Sequence, residues 1–492
     1  AEPGGIPWFE GDVDAAFAAA RAQHKPVFLY WGAVWCPPCH QLKSSVFNRP
    51  DFIAKTKLFI PVYLDGDDEG AQKWGDTFRV TGYPTLVVLD EQRTEIMRIA
   101  GGMDLSQYAN VLDLALADLQ PASQLLASAA QGHALKDAEC KRLAYTAWGL
   151  EDIDEKAAGT QAGRLRAAAM QCPATLAHER ARLVGIAASF GALAEKAALK
   201  KGAQPSASLR AQATDFYKQL ADADAVAADA DAYFYPGEGL FIAAQALKSP
   251  TPEQFYQRYA KAMEAAEKRE AFTEADHLAA VGSRLQAAKL LLGRIDPAMA
   301  KAARAAVDAA LAGQQIPYVR SGVINAVLPI FDLLGQNEDA YRVVQGELAR
   351  TQTPYYYKAD LASLAEDLGR KDEALEWSRQ AYAESQGVAT RFQWGRLYLG
   401  ALLRLTPNDT ATIQQVGAQV LKELDGTDRI YRRARQRLDA LDGELRTWAA
   451  ASNEARAPVL QALRAQLQGT CGKIPEADAA RASCDAFLKG AG

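Results

Sequence analysis

The 492-residue chain lacks long apolar runs and concentrations of positive charge. A membrane-spanning helix needs about 18 or more consecutive apolar residues, and no stretch of this sequence approaches that length. The formal net charge is −5, and lysine and arginine are not clustered among aromatic residues, so the basic surface typical of nucleic-acid-binding proteins is missing. The sequence therefore predicts neither a membrane span nor a nucleic-acid partner.

Side chains that ligate metals are also scarce. The chain has five histidines, five methionines and six cysteines, and no four of these ligand types come together in the spacing of a structural metal site. We therefore expect no dedicated metal site and no cofactor. Binding of a soft metal such as Cu(I) or Zn(II) by two cysteine sulfurs stays open as an alternative.

Six cysteines form an even set, and four of them lie outside the pair Cys36 and Cys39. Two structural disulfides would fit an oxidising compartment, although buried free thiols remain an alternative. Pairing of neighbours is favoured, which joins Cys140 to Cys172, and Cys471 to Cys484. Because the chain also opens at an alanine without methionine, we expect a periplasmic or otherwise exported protein whose signal peptide has been removed.

Residues 1–120 differ in pattern from the rest of the chain. Short β-rich runs at 25–31, 58–64, 85–89 and 95–99 alternate with helical patterns at 37–47, 71–78 and 105–119. From residue 121 onward the sequence is rich in alanine, with apolar residues three and four positions apart, which predicts helices only. We expect an α/β domain at 1–120, an all-helical domain at 121–330, and helical repeats with C-terminal helices at 331–492.

Part of the helical region repeats itself. The segment Leu334–Tyr341 recurs 34 residues later as Leu368–Leu375, with a Leu-Gly pair and an alanine at the same offsets. This period resembles the tetratricopeptide repeat, in which helical hairpins stack into an α-solenoid. The resemblance implies a role for the helices in partner binding.

Two other concentrations of similar residues occur in this region. Aromatic residues gather at Tyr233–Tyr235, and at Tyr355–Tyr357 together with Trp377 and Trp394; they predict either core packing or a peptide-binding groove. The acidic stretch 222–231 predicts a solvated turn.

The candidate chemistry lies in Trp35-Cys36-Pro37-Pro38-Cys39. This segment follows the apolar run Val27–Trp31, and Gly82-Tyr83-Pro84-Thr85 begins 43 residues after Cys39. A strand that leads two cysteines onto the first turn of a helix places one sulfur at the helix N-terminus, where free amides and the helix dipole favour the thiolate. The pattern predicts that Cys36 is a nucleophile.

These features together resemble the thioredoxin fold family. The phrase Val46–Phe52, followed by Leu64-Asp65, is especially similar to exported thioredoxin-like proteins, including the periplasmic C-terminal domain of the membrane disulfide reductase. The expected fold class is therefore a thioredoxin fold followed by a large all-α region of helical hairpins.

The resemblance implies a role for each residue of the motif. Cys36 attacks a substrate disulfide, Cys39 resolves the mixed disulfide, Pro84 faces them as a cis-proline, and the backbone of Tyr83 pairs with an extended substrate segment. The implied catalytic residues are Trp35, Cys36, Cys39 and Pro84. The implied substrate-binding residues are Pro37, Pro38, Tyr83 and Thr85.

The chain departs from the family at two places. The buried acid common in thioredoxins falls on Tyr30, and the lysine often opposite it falls on Tyr63. Pro37 replaces the usual glycine and, together with Pro38, removes backbone N–H groups from the first helical turn. With fewer donors to stabilise the Cys36 thiolate, we expect a reducing rather than a strongly oxidising couple.

We therefore expect an exported thiol-disulfide oxidoreductase, more a reductase than an oxidase. Its expected partners are protein disulfide substrates and a membrane thiol donor that acts as upstream reductant. The alternative is a redox-gated scaffold with little turnover. The spelling Cys36-Pro37-Pro38-Cys39-His40 also satisfies the motif for covalent haem attachment, which the surrounding strand and proline turn disfavour, so that His40 is expected to be a solvent-side helix residue.

Overall fold

A computed structural model describes residues 5–149, 153–426 and 430–491. The start of the chain at Ala1, from which export was partly expected, lies outside these ranges. Within them the chain forms four β-strands, namely β1 (Val27–Gly32), β2 (Ile60–Asp65), β3 (Thr85–Leu89) and β4 (Glu95–Arg98). The helices among and next to these strands are α1 (Val13–Gln23), α2 (Pro37–Ser45), α3 (Pro50–Thr56), α4 (Glu69–Thr77) and α5 (Gln107–Ala117).

Every later element of the described chain is helical. The helices up to Gly313 are α6 (Ala122–Ala130), α7 (Asp137–Ala144), α8 (Glu155–Gln171), α9 (Ala177–Ala194), α10 (Lys196–Lys200), α11 (Ala207–Gln219), α12 (Ala223–Ala228), α13 (Glu238–Gln245), α14 (Pro252–Ala266), α15 (Glu274–Ala287) and α16 (Pro297–Gly313). The remaining helices are α17 (Pro317–Leu333), α18 (Asn337–Glu347), α19 (Pro354–Asp367), α20 (Lys371–Glu384), α21 (Arg391–Leu405), α22 (Thr410–Lys422), α23 (Arg432–Ala450), α24 (Asn453–Cys471) and α25 (Ala479–Ala486).

The chain divides into two compact units. The first contains the residues up to Tyr30 together with Pro37–Tyr63 and Thr85–Gln336. The second contains Trp31–Cys36, Leu64–Pro84 and the chain from Asn337 onward. Residues 1–120 thus contribute to both units. The division into three domains stays a prediction.

The four strands form one sheet in the order β2-β1-β3-β4. Strands β3 and β4 are antiparallel, with Val87 opposite Arg98 and Val88 opposite Met97. All four predicted strands are confirmed, and each begins and ends within two residues of its predicted position. The strands were predictable because buried β-rich runs bounded by turn residues leave a strong local signal.

Helices α1 and α3 were not predicted from the sequence, although each has a residue that favours the start of a helix. Asp12 accepts a hydrogen bond from the backbone N–H of Ala15 at 2.8 Å and so caps α1. Helix α3 has Pro50 at its first position, where proline is favoured because the missing N–H would have no partner in the helix. Both signals could have been read from the sequence.

The core of the first unit continues past residue 120. Buried residues of the sheet pack in one cluster with buried residues of α6 to α9; the cluster includes Phe28, Tyr30, Val88, Met97, Leu125, Leu143, Leu165 and Phe190. The backbone after α7 also pairs with β4, since the Ala147 N–H donates to the Arg98 carbonyl at 2.9 Å. This contact covers the edge of β4 that would otherwise be exposed. The helices up to α9 are therefore part of the structure that supports the sheet.

Each unit contains one structural disulfide. In the first unit Cys140 is bonded to Cys172, and in the second Cys471 is bonded to Cys484, with Cα–Cα distances of 5.5 Å in both. All four residues are buried. These are the neighbour pairings that the sequence favours.

The end of the acidic stretch 222–231 is not a solvated turn, and this prediction was wrong. Both carboxylate oxygens of Asp231 accept hydrogen bonds from Arg182 at 2.5 Å, and the two side chains are 7% and 2% exposed. Arg182 also donates to the carbonyl of Ala144 at 2.7 Å. The acidic stretch supplies the counter-ion of a cation from another helix, which its charge pattern alone cannot reveal.

The 34-residue repeat corresponds to a shared helix-ending turn. Gly335 and Gly369 both have positive φ angles, of 68° and 74°. In each copy the next residue donates its N–H to a carbonyl five positions back, Gln336 to Phe331 and Arg370 to Ala365, both at 2.8 Å. This is the hydrogen bond of a glycine-dependent helix C-cap, and it explains why the Leu-Gly pair recurs.

The buried pair leads to a prediction about stability. Replacing Asp231 by Asn should lower the free energy of unfolding by about 2 kcal/mol, because Arg182 loses its charge-assisted hydrogen bonds and keeps only the more distant carboxylate of Asp229, 3.8 Å away. Urea denaturation of the full chain measures the change. The control is Glu376→Gln, whose partner Arg379 is, like Glu376, 52% exposed; exposed pairs contribute less than about 1 kcal/mol. Equal losses in the two variants would contradict the importance of burial.

Candidate active site

The second half of the Cys-x-x-Cys motif lies in the first unit, at the start of α2. This helix begins at Pro37, so Pro37 and Pro38 occupy its first two positions, where neither can offer a backbone N–H. The side chain of Cys39 is fully buried, Pro37 is buried and Pro38 is exposed. Thr85, the last residue of the implied substrate-binding set, begins β3 in the same unit.

His40 is not the solvent-side residue that the sequence predicts. It is 8% exposed, and its ring lies 4.3 Å from that of Tyr318, measured between centroids. Its Nδ1 is 2.7 Å from the hydroxyl oxygen of Ser321. Since both partners belong to α17, His40 fixes α2 against that helix.

The first cysteine and the proline turn lie in the second unit. The Cys36 sulfur is 3.6 Å from the carbonyl oxygen of Tyr83, and the peptide bond between Tyr83 and Pro84 is cis, as the resemblance implies. The rings of Trp35 and Tyr83 have centroids 6.1 Å apart. Gln72 donates to the Tyr83 hydroxyl at 2.8 Å and so orients the ring. The structure therefore brings together Trp35, Cys36, Tyr83 and Pro84 from two separate stretches of sequence.

The cysteines of the motif are in their oxidised state. Cys36 and Cys39 are both disulfide-bonded, and both residues are buried, at 3% and 0% exposed. Attack on a substrate disulfide requires an accessible thiolate. In this state of the protein Cys36 is not accessible to a large partner.

The indole of Trp35 is held by an aspartate that the sequence analysis did not select. Trp35 donates from Nε1 to Asp67 Oδ1 at 3.0 Å, and Thr390 donates from its hydroxyl to the same oxygen at 2.7 Å. The backbone N–H of Ala389 also donates to the Asp67 carbonyl, at 3.3 Å. Burial raises the pKa of the Asp67 carboxyl, and the bonds from Thr390 and Trp35 act in the opposite direction.

Aromatic residues of α19 and α21 surround the same indole. Tyr356 stacks on Trp35 with ring centroids 6.1 Å apart, and Trp394 meets it edge-on at 5.6 Å. Tyr355 packs against Trp394 at 5.5 Å. These residues were expected either to fill a core or to line a peptide groove, and in the structure they pack around Trp35. Trp377 instead donates to the Tyr341 hydroxyl at 2.7 Å.

An arginine side chain also packs against the rings of Tyr83 and Trp35. The Arg433 guanidinium lies 4.4 Å from the centroid of the Tyr83 ring and 5.8 Å from that of Trp35, distances at which a cation is attracted to the face of a ring. It also donates to the Thr81 carbonyl at 3.1 Å. Arg433 thereby connects α23 to the turn that carries Pro84.

In the first unit, aromatic packing takes the place of the acid and the lysine that the family often has. The rings of Tyr30 and Tyr63 stack with centroids 5.4 Å apart, and Phe47 meets Tyr30 edge-on at 4.9 Å. The ammonium of Lys43 lies 5.0 Å from the centre of the Tyr63 ring. Tyr30 and Tyr63, which stand where the family often has an acid and a lysine, are therefore parts of one aromatic cluster.

The part of the chain that contains the Cys-x-x-Cys motif is similar to known proteins. Residues 13–116 match the family model of a thioredoxin-like domain. This part of the chain is a thioredoxin-like domain. Its fold and its Cys-x-x-Cys pair are those of thiol-disulfide oxidoreductases in general. A thioredoxin from Thermus thermophilus, known from its solution structure, is 23% identical in sequence, with a TM-score of 0.21, over 23% of this chain and 88% of its own. No curated protein matches the chain.

The residues that the sequence analysis missed are Asp67, Thr390 and Arg433. They come from a turn and from two helical regions more than 300 residues downstream, and no spacing rule connects such distant positions. Among the described residues, no group of three or more histidine, cysteine, aspartate or glutamate side chains could hold a metal ion. Within the same part of the chain, every helix is too short or too polar to cross a bilayer.

The raised pKa of Asp360 predicts that stability around this site depends on pH. Asp360 lies one helical turn after Tyr356 on α19, and burial raises its pKa to about 7 from 3.8. Because the pKa is higher in the folded than in the unfolded state, its contribution to stability is fully present below 3.8 and is lost as the pH rises through about 7.

We therefore expect Asp360→Asn to be more stable than the wild type at pH 8 and to lose less stability between pH 5 and pH 8. The gain should be at most about 4 kcal/mol, the free-energy equivalent of the full pKa shift. Urea titrations at the two pH values measure it. Asp367→Asn, at an exposed position of the same helix, is the control and should keep the wild-type dependence. An identical pH profile for both variants would argue against a raised pKa at Asp360.

Proposed function

We propose that this protein is an exported thiol-disulfide oxidoreductase that reduces protein disulfides through Cys36 and Cys39. The observation that most supports the proposal is the disulfide-bonded Cys36, whose sulfur lies 3.6 Å from the Tyr83 carbonyl oxygen, next to the cis-proline turn. A substrate sulfur bonded to Cys36 would be adjacent to a backbone segment that can pair with an extended chain.

The proposed cycle transfers two electrons. In the reduced protein, the Cys36 thiolate attacks one sulfur of the substrate disulfide, whose S–S bond breaks and releases the other sulfur as a thiolate that takes up a proton. The Cys39 thiolate then attacks the Cys36 sulfur, which frees the second substrate thiol and leaves the Cys36–Cys39 disulfide. A membrane thiol donor returns the two electrons. The complete burial of Cys39 suits a cysteine that reacts only within the protein.

The reductive direction and the exported location have separate supports. Pro37 and Pro38 at the start of α2 remove donors that would otherwise stabilise a thiolate, and strong oxidants are those with a stabilised reduced form. The disulfides Cys140–Cys172 and Cys471–Cys484 suit an oxidising compartment. The helices around Trp35 are proposed to select the partner.

A second function, a redox-gated binding module with little turnover, is favoured by one observation. Trp35 is 8% exposed and Cys36 3%, while Tyr356 and Trp394 cover the indole. In this alternative, reduction or oxidation of the motif would change which surface the helices present, and the sulfurs would exchange slowly with any substrate.

Turnover distinguishes the two functions. In a disulfide-reduction assay driven by dithiothreitol, the wild type should accelerate substrate reduction, and Cys36→Ser should fall to the rate of dithiothreitol alone because the attacking sulfur is gone. The double variant Cys471→Ser/Cys484→Ser removes a disulfide outside the motif and should keep the activity. A wild type no faster than dithiothreitol would favour the binding module.

The partner can be trapped covalently. We expect Cys39→Ser, incubated in an extract of the native cell, to accumulate mixed disulfides, because Cys36 can attack while the second step is blocked. Non-reducing electrophoresis and mass spectrometry identify what is attached. The Cys36→Ser/Cys39→Ser double variant is the control and should trap nothing. If the single variant also traps nothing, protein disulfides are not the substrates.

A further inference from the structure

Two arginines of α23 lie beside the motif. Arg433 and Arg437 are four residues apart, and so occupy one face of the helix. Arg433 rests on the rings of Tyr83 and Trp35, and Arg437 donates to the carbonyl of Arg433 at 3.3 Å. Trp35 immediately precedes Cys36 in the sequence, so the pair places positive charge next to the redox motif.

Neither of these arginines forms an ion pair with a carboxylate in the described chain. Other arginines of α23 do, since Arg435 is 2.9 Å from Asp76 and Arg446 is 2.8 Å from Asp442. The hydrogen bonds of Arg433 go to the Thr81 carbonyl and, at 2.9 Å, to the side-chain oxygen of Gln393. The two cations beside the motif therefore differ from their neighbours on the same helix.

Asp67 acts on Arg433 from a distance, without an ion pair between the two side chains. The carboxylate of Asp67 favours the charged form of Arg433, and one of its oxygens already accepts hydrogen bonds from Trp35 and Thr390. Burial lowers the pKa of Arg433, and burial together with the charge of Arg433 lowers the pKa of Arg437 to about 9. Two like charges close together in a poorly solvated place are destabilising unless an anion joins them.

We propose that Arg433 and Arg437 bind a carboxylate that the substrate carries close to its reacting disulfide. This rests on the proposed function and specifies its substrate class. A guanidinium offers five N–H donors in a planar fork that matches a carboxylate, and Arg433 uses only two for the bonds described above. The carboxylate belongs either to a small disulfide or to an acidic side chain of a protein substrate.

The binding step leaves the redox chemistry unchanged. The carboxylate docks on the two arginines, the Cys36 thiolate breaks the adjacent S–S bond and forms the mixed disulfide, and the leaving sulfur is protonated. Cys39 then releases the second thiol as the Cys36–Cys39 disulfide forms, so that two electrons pass from the protein to the substrate. A docked carboxylate fixes the position of the disulfide and raises the rate by proximity.

The test compares three small disulfides in single turnover with the pre-reduced full-length protein. Dithiodipropionate carries two carboxylates, hydroxyethyl disulfide is neutral, and cystamine carries two ammonium groups. Loss of protein thiols, followed by quenching and mass spectrometry, gives a second-order rate constant for each. Each constant is divided by the rate constant of the same disulfide with free dithiothreitol, which removes differences in intrinsic reactivity.

We expect the normalised rate to be highest for dithiodipropionate and lowest for cystamine. Arg433→Gln and Arg437→Gln should each reduce the ratio of these two rates by about tenfold, the size of a partly buried charge-assisted contact. Arg437→Lys should keep most of the ratio because it keeps the charge. Arg446→Gln, on the same helix but paired with Asp442, is the control and should keep the wild-type ratio.

The outcomes separate the proposals. If the wild type reacts with none of the disulfides, the proposed function fails; if it reacts with all three at equal normalised rates, only the carboxylate site fails. Equal slowing of all three by Arg433→Gln, with no effect of Arg437→Gln, would reduce Arg433 to a support of the Thr81 turn and overturn the site. A pair of peptide disulfides that differ by Glu or Gln beside the cysteine identifies the source: a preference for the Glu peptide larger than that for dithiodipropionate assigns the carboxylate to a protein substrate.

Discussion

In the second unit, the side chains next to the redox motif are arranged around the indole of Trp35. Its single N–H group donates a hydrogen bond to Asp67, and Thr390, at the start of α21, donates to the same carboxylate. Helices α19, α21 and α23 each place one side chain against the indole ring. Since Trp35 is bonded directly to Cys36, the position of the sulfur depends on these helices. A buried indole loses stability if its N–H has no acceptor, so Asp67, Thr390 and the aromatic residues act together.

The sequence predicts the parts of this protein whose signal is local. Four strands, the start of α2 at Pro37 and the redox motif follow from apolar runs and from residues with special backbone requirements. The Leu-Gly repeat predicts helix-ending turns, because glycine at Gly335 and Gly369 permits a positive φ. These inferences rest on short runs of neighbouring positions, and the repeat adds only a comparison between two such runs 34 residues apart.

The features that could not be predicted are pairings between distant residues. The acidic stretch that ends at Asp231 looks solvated until Arg182 is placed against it, and His40 looks exposed until α17 covers it. Nothing in the sequence distinguishes Arg433 from the other arginines. Its role is visible only once the structure places it against the Tyr83 ring. The charge and hydropathy of a side chain indicate the free energy needed to bury it. Which partner offsets that free energy is known only from the fold.

We expect two opposing electrostatic influences on the thiolate of reduced Cys36. Pro37 and Pro38 withhold backbone donors from the first turn of α2, which disfavours the thiolate, whereas the arginine beside Trp35 supplies positive charge that favours it. The two differ in one respect: a backbone donor is permanent, but the charge of an arginine is neutralised when it binds a carboxylate. A thiolate that loses this stabilisation has a higher pKa and is intrinsically more nucleophilic. Because a higher pKa also lowers the fraction of Cys36 that is ionised, the two effects oppose each other. A bound carboxylate would therefore accelerate the reaction by fixing the position of the substrate disulfide rather than by activating the sulfur.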